Sequence, residues 1–289
     1  ISVVSDSGSR EPGSLYIVAT PIGNLDDITV RASRILAQVD RVAAEDTRHS
    51  GKLLQHLGIS KPLLALHDHN ERDKAASVLD RIAAGESIAL ISDAGTPLIS
   101  DPGYVLVRDA RARGIRVIPV PGPCAFVAAL SAAGLPTDRF LFEGFLSAKA
   151  SARRAALKSL GREAATMVFY EAPRRVSAML ADVGECLGRG RQVVVARELT
   201  KTFETFYHGS AEEVLAQLKD DPNAAKGEFV VIVAGAPSSE RSEDVLDVDR
   251  LLNLLLPELP LRQVAKIVAE LTGGSKNELY QRALALRNE

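Results

Sequence analysis

Cysteine is scarce in this sequence. Cys124 and Cys186 stand far apart and make neither a disulfide framework nor a metal cluster, so a reduced, cytoplasmic setting is expected. No charge sign dominates either. With 35 basic against 37 acidic residues the net charge is −2, no global field draws a polyanion, and nucleic-acid contact would have to rest on local basic patches. Long apolar runs are missing too: none approaches the roughly 18–20 residues that span a bilayer, and no membrane partner is expected. Residues 1–13 lack the charged-then-apolar order of a signal peptide and read as a disordered lead-in.

Several chemical signatures are also absent. No G-x-G-x-x-G or G-x-x-x-x-G-K-[ST] occurs, which argues against a standard dinucleotide or P-loop site. No G-x-S-x-G elbow occurs, which lowers an α/β-hydrolase reading. His67 and His69 would share a strand face, but His49 and His56 lie elsewhere. Zinc needs three or four converging ligands, so no metal site is expected.

What is present is an ordinary globular composition, 46% hydrophobic and 25% charged, over 289 residues. That length suggests two domains with an appendage. Apolar runs at 15–19, 41–44, 63–66, the start of 88–103 and 116–120 alternate with helical patterns, the signature of a mostly parallel, covered sheet. Asp27 is placed to cap the first helix and Asn70 the third. Further β runs at 140–144, 166–170, 192–196, 203–207 and 229–234 make a second α/β unit. The expected division is 14–121, 122–236, a linker at 237–246 and a helical appendage at 247–289. The appendage reads as two helices around Gly273-Gly274 with Ser275 as cap, either a helix-turn-helix or an αα-hairpin packed on a core.

The richest segment is 88–103, IALISDAGTPLISDPG. A buried strand breaks there into a loop of glycine, proline and short polar side chains, beyond a carboxyl strand end where open α/β sheets bind ligands. Similar loops follow two other strands, Thr20-Pro21-Ile22-Gly23-Asn24 and Pro121-Gly122-Pro123-Cys124-Ala125. If the strands are parallel, the three loops converge on one crevice. Glu45-Asp46-Thr47-Arg48 is either an active-site corner or a self-paired helix N-terminus. Lys149, Arg153, Arg154, Lys158 and Arg162 run without an acidic residue, and Arg174 and Arg175 follow Glu171. Such runs are usually solvated faces, yet their concentration suggests a phosphate-contacting surface.

Taken in order, LYIVATPIGNLDDITVRA, AEDTR, LHDHNE, ISDAGTPLISDPG, PVPGPCAFVAALSAAGLP, FYEAPRR, ARELTKTFE and GEFVVIVAG resemble the ribosomal small-subunit RNA (cytidine-2′-O)-methyltransferases, an RNA-modifying branch of the tetrapyrrole methylases. The resemblance covers about residues 14–286. It implies two α/β domains with S-adenosylmethionine in the cleft between them, a homodimer, and methylation of a cytidine ribose in the decoding region of small-subunit rRNA, within the 30S subunit. By motif, Pro21, Ala94, Gly95, Thr96, Ile99, Cys124, Ala125, Glu171 and Leu199 fall at cofactor positions. Tetrapyrrole-modifying relatives carry an acidic residue after the glycine, in a G-D-P turn; Gly95-Thr96-Pro97 counts against a porphyrinoid substrate. A noncatalytic RNA-binding module would not need two domains with ligand loops. Lys149, Arg153, Arg154, Lys158, Arg174 and Arg175 are the expected RNA contacts. A ribose hydroxyl needs an acceptor for its proton, for which Glu45, Asp46, His67, Glu71, Asp101 and Lys201 are the candidates.

Overall fold

The computed structural model describes residues 13–67, 71–224, 226–237 and 248–287. The lead-in before Gly13, His69 and Asn70, and residues 238–246 of the linker expected at 237–246 lie outside the described residues. The chain divides into two compact units, one of residues 1–161 and 165–235, the other of 162–164 and 236–289.

The first unit holds two five-stranded sheets. Strands β1 (Ser14–Val18), β2 (Arg41–Ala44), β3 (Leu63–Ala65), β4 (Ile88–Ile91) and β5 (Arg116–Val120) are all parallel, in the order β3-β2-β4-β1-β5. Parallel strands need covered faces, and β4 is buried at every position. Helices α1 (Val30–Gln38) and α2 (Thr47–His56) cover one face through Leu36 and Leu54 against Val18, Val42 and Ile91. Helices α3 (Glu71–Ala83) and α4 (Tyr104–Ala112) cover the other through Leu79, Ile82 and Leu106 against Leu15 and Leu90. Thr29, not Asp27, caps α1: its hydroxyl accepts the Ala32 N–H at 3.0 Å. Asp27 instead ends a 3-10 turn, Leu25–Asp27, that delays the helix by one short turn.

After α5 (Ala125–Ala132), β6 (Phe140–Phe145), β7 (Thr166–Glu171), β8 (Gln192–Arg197), β9 (Thr205–Ser210) and β10 (Phe229–Val233) form a mixed sheet ordered β6-β7-β10-β8-β9. Only β6 and β7 are parallel. The fourth β run of this unit sits two residues later than its apolar start suggested, because Phe203 lies in the turn before β9 and is exposed. Alternation sorts the side chains. Phe229, Val231 and Val233 join one core with α6 (Ala150–Ser159), α7 (Val176–Leu187) and α8 (Ala211–Asp220). Val230 and Ile232 face α5 together with Ile22 and Leu199.

Arg153 does not belong to an exposed basic stripe. It shares the buried face of α6 with Leu157, one helical turn on, and its Nε donates to Asp182 Oδ2 at 2.6 Å. Arg154 reaches the other oxygen of Asp182 at 3.4 Å from a more open position. Both side chains of the Arg153–Asp182 pair are buried.

The second unit has its own core. Helices α9 (Val248–Leu255), α10 (Leu261–Thr272) and α11 (Lys276–Arg287) enclose Leu252, Val264, Val268, Leu279 and Ala283. Gly273 closes α10 in the left-handed conformation, and Arg282 makes a two-pronged bond to Asp249.

Asp182→Ala should lower stability by about 3–5 kcal/mol, since it strands a buried guanidinium. Arg154→Ala should cost far less. Denaturant midpoints of the two variants measure the difference, and equal losses would refute the burial argument.

Candidate functional site

The three loops do converge, because β4, β1 and β5 are neighbours in the first sheet. Thr20 and Gly95 exchange main-chain hydrogen bonds of 2.8 and 3.0 Å. Thr96 Oγ1 donates to the Pro123 carbonyl at 2.9 Å, joining the third loop. These loops and the α5 face of the second sheet enclose a cavity of about 360 Å³.

Eight of the nine residues matched to cofactor positions line it: Ala94, Gly95, Thr96, Ile99, Cys124, Ala125, Glu171 and Leu199. Pro21 does not; its neighbour Ile22 does. Gly95 has φ +83°, and a Cβ there would lie 3.3 Å from Ile22 Cγ2, so the loop favours glycine. Ile99 and Leu199 share an unusual setting. Each stands between two non-glycine residues of positive φ, Leu98 and Ser100 around the first, Glu198 and Thr200 around the second. Such conformations are costly and collect at functional sites.

The proton-acceptor candidates separate clearly. Asp101 lines the cavity; the other five do not. Asp46 caps α2, accepting from Arg48 N at 2.8 Å and pairing with the Arg48 guanidinium at 3.0 Å. Those bonds hold its carboxyl down at about 2, so the self-paired helix N-terminus is the reading that stands. Glu45 directly precedes this cap. Glu71 is buried, and its Oε1 accepts the Leu106 N–H at 2.9 Å, supplying the cap that Gly103 cannot give α4. The main-chain carbonyl of His67 accepts the Glu71 N–H at 2.9 Å.

Lys201 is excluded as a base. Burial would lower its pKa, but hydrogen bonds of 2.8 Å to both Glu198 and Glu228 outweigh that and leave it raised. As an ammonium it ties the Leu199 loop to Glu228, the residue before β10. Burial pushes the Cys124 thiol up, so no thiolate nucleophile stands at the start of α5. Burial, aided by Cys124, holds the Tyr170 phenol far above its usual value, and its neutral oxygen accepts the Phe126 N–H at 3.2 Å.

Arg175 is not a free RNA contact. Its Nε donates to the fully buried Glu171 carboxylate at 2.6 Å. Lys149, Lys158 and Arg174 are exposed. Sequence reasoning missed Phe145, Tyr170 and Glu228 as cavity residues. Strand alternation was the available signal for Tyr170, which must face away from the buried Phe169. No group of three or more His, Cys, Asp or Glu among the described residues could hold a metal ion. No described helix is long and apolar enough to cross a membrane.

Residues 14–215 match the family model described as tetrapyrrole (corrin/porphyrin) methylases. The chain belongs to the tetrapyrrole methylase family. Within this family it joins the branch named ribosomal RNA small subunit methyltransferase I. It is 56% identical to the Pseudomonas aeruginosa protein of that name over 94% of this chain and 97% of the relative. To the Escherichia coli O157:H7 protein it is 55% identical over 96% and 97%. Residues 242–287 match the RsmI C-terminal HTH domain. Solved structures share the tetrapyrrole methylase fold: the methyltransferase CobJ has TM-score 0.58 at 21% identity, covering 78% of this chain and 95% of its own. Diphthine synthase gives 0.58 at 14%, covering 77% and 90%.

Lys201→Met should destabilise this tetrapyrrole methylase at neutral pH. A raised folded-state pKa means the stabilisation is complete below the ordinary lysine value of 10.5 and disappears as pH rises through the higher folded value. Urea unfolding of both proteins through the alkaline range should therefore show the gap closing. A constant gap would assign the effect to the stem of Lys201, which packs against Gly23.

Proposed function

We propose that this protein is an S-adenosylmethionine-dependent methyltransferase that methylates the 2′-oxygen of a cytidine ribose in the decoding region of small-subunit rRNA. The observation that carries the reading is the gathering of eight motif-matched residues around one cavity, in a chain whose relatives are named for methylating this RNA. The cavity suits that cofactor. Gly95 removes a side chain where a ligand must approach main chain, and Ile22, Ile99, Leu199 and Val230 offer apolar walls. Glu171 contributes a buried Oε2 with no hydrogen-bond partner, an acceptor suited to a nucleoside hydroxyl or amine.

When bound, S-adenosylmethionine supplies an already activated methyl group. The chain must then hold the ribose in place and accept its hydroxyl proton. Asp101 takes that proton in this reading, since it alone among the acceptor candidates lines the cavity. Lys149, Arg154, Lys158 and Arg174 supply phosphate contacts, and the helical unit adds the exposed Arg262, Lys266, Lys276 and Arg287. The working form is taken as a homodimer in the cytoplasm, with the 30S subunit as substrate, on the strength of the family resemblance.

Gly95→Val should remove S-adenosylmethionine binding in calorimetry while circular dichroism still reports a folded protein. Unchanged affinity would take this loop out of the site.

The function itself is tested by transfer of a labelled methyl group to unmodified 30S subunits, to naked rRNA and to a porphyrinoid, with the product nucleotide mapped by mass. Label in the porphyrinoid alone would overturn the reading. In the same assay Asp101→Asn should lower kcat by about 10²–10⁴ with cofactor affinity unchanged. Full activity would remove Asp101 from proton transfer.

A further inference from the structure

Phe145 is among the exposed large hydrophobic side chains of the first unit. It closes β6, the edge strand of the second sheet, lines the cavity, and still exposes 58% of its surface. What sets it apart is its place at the cavity, where the open face of the ring is available to a ligand.

Its position is built rather than accidental. The pairing of β6 with β7 shifts register between Phe142 and Gly144, a bulge of the kind that re-aims side chains beside active sites. Gly144 takes φ +65° to make that shift, and a Cβ there would lie 3.3 Å from Ser100 Oγ. Beyond the bulge, Phe145 pairs with Tyr170. The two rings sit 5.5 Å apart at 59°, and Tyr170 in turn meets Phe142 edge-on at 5.0 Å. Phe145 is therefore braced by an aromatic neighbour at the same cavity as Asp101.

We propose that Phe145 is a positioning residue whose exposed ring stacks on the base of the target nucleotide. The inference rests on the functional reading above and deepens it. A ribose whose hydroxyl reaches Asp101 carries its base one bond away, so a flat aromatic group must lie nearby. Such a base has to leave its own stack to enter a cavity, and a protein ring on which it can restack compensates that loss. A phenyl ring has no hydrogen-bonding edge. It sets where the base sits, and leaves the choice of base to other groups.

Phe145→Ala should raise KM for unmodified 30S subunits about ten- to a hundredfold, the usual weight of one base–aromatic stack, with a smaller change in kcat. Phe145→Tyr and Phe145→Trp should restore KM, which a merely structural role for the phenyl ring would not predict for the larger indole. S-adenosylmethionine affinity by calorimetry and mass by light scattering should stay at parental values in all three. An unchanged KM in Phe145→Ala would overturn the proposal. So would a loss of cofactor affinity, which would give the ring to the cofactor, or a change of mass, which would give it to a second copy of the chain. A parent protein that transfers no methyl group to RNA would sink the functional reading itself. A parent that does, with Phe145→Ala unimpaired, would sink this inference alone.

Discussion

The exchange of main-chain hydrogen bonds between Thr20 and Gly95 joins two loops that follow adjacent parallel strands, and the cavity takes its shape from that junction. Main-chain bonds of this kind ask for close approach rather than for a particular side chain. Glycine stands at one end of the pair, where φ is +83° and a Cβ would press on Ile22. The hydroxyl of Thr96, one residue on, extends the junction to the loop after β5. A carboxylate at this position would have no proton to offer the Pro123 carbonyl, so the threonine also secures the third loop.

Charge states around the cavity are set by burial and local pairing, and they narrow the chemistry. Lys201 is bound as a cation between two carboxylates, while Cys124 and Tyr170 are kept neutral by desolvation. Arg175 neutralises Glu171 from within the protein. Among the carboxylates at the cavity, Glu171 is paired with Arg175 and Glu228 with Lys201, and Asp101 lines it beside them. A reaction whose reagent arrives already activated needs little more.

Much of the fold was legible because its signals are local. Alternating apolar runs gave the strands, and a run such as Ile88–Ile91, apolar at every position, announces a strand covered on both faces. The meeting of the three loops was legible on the condition that their strands are parallel, as they are, whereas which of their residues line the cavity was legible through family resemblance. The errors have separate physical causes. An acidic side chain near a strand end looks the same in sequence whether it faces a ligand or caps a helix across space, as Glu71 does for α4. For Arg153 the signal is Leu157, four residues on, which sets both on the face that α6 buries. Phe145 was hidden because the bulge that aims it has no periodic signature.

The arches that present Ile99 and Leu199 have a consequence for how the protein fails. Each holds two non-glycine residues in the left-handed region, at a cost on the order of 1–3 kcal/mol apiece that only the surrounding packing sustains. Segments carrying such stored strain relax before the sheets beneath them separate. On warming, the ability to hold a ligand should therefore vanish while both sheets are still intact, leaving a folded but empty-handed protein across an interval below its melting point.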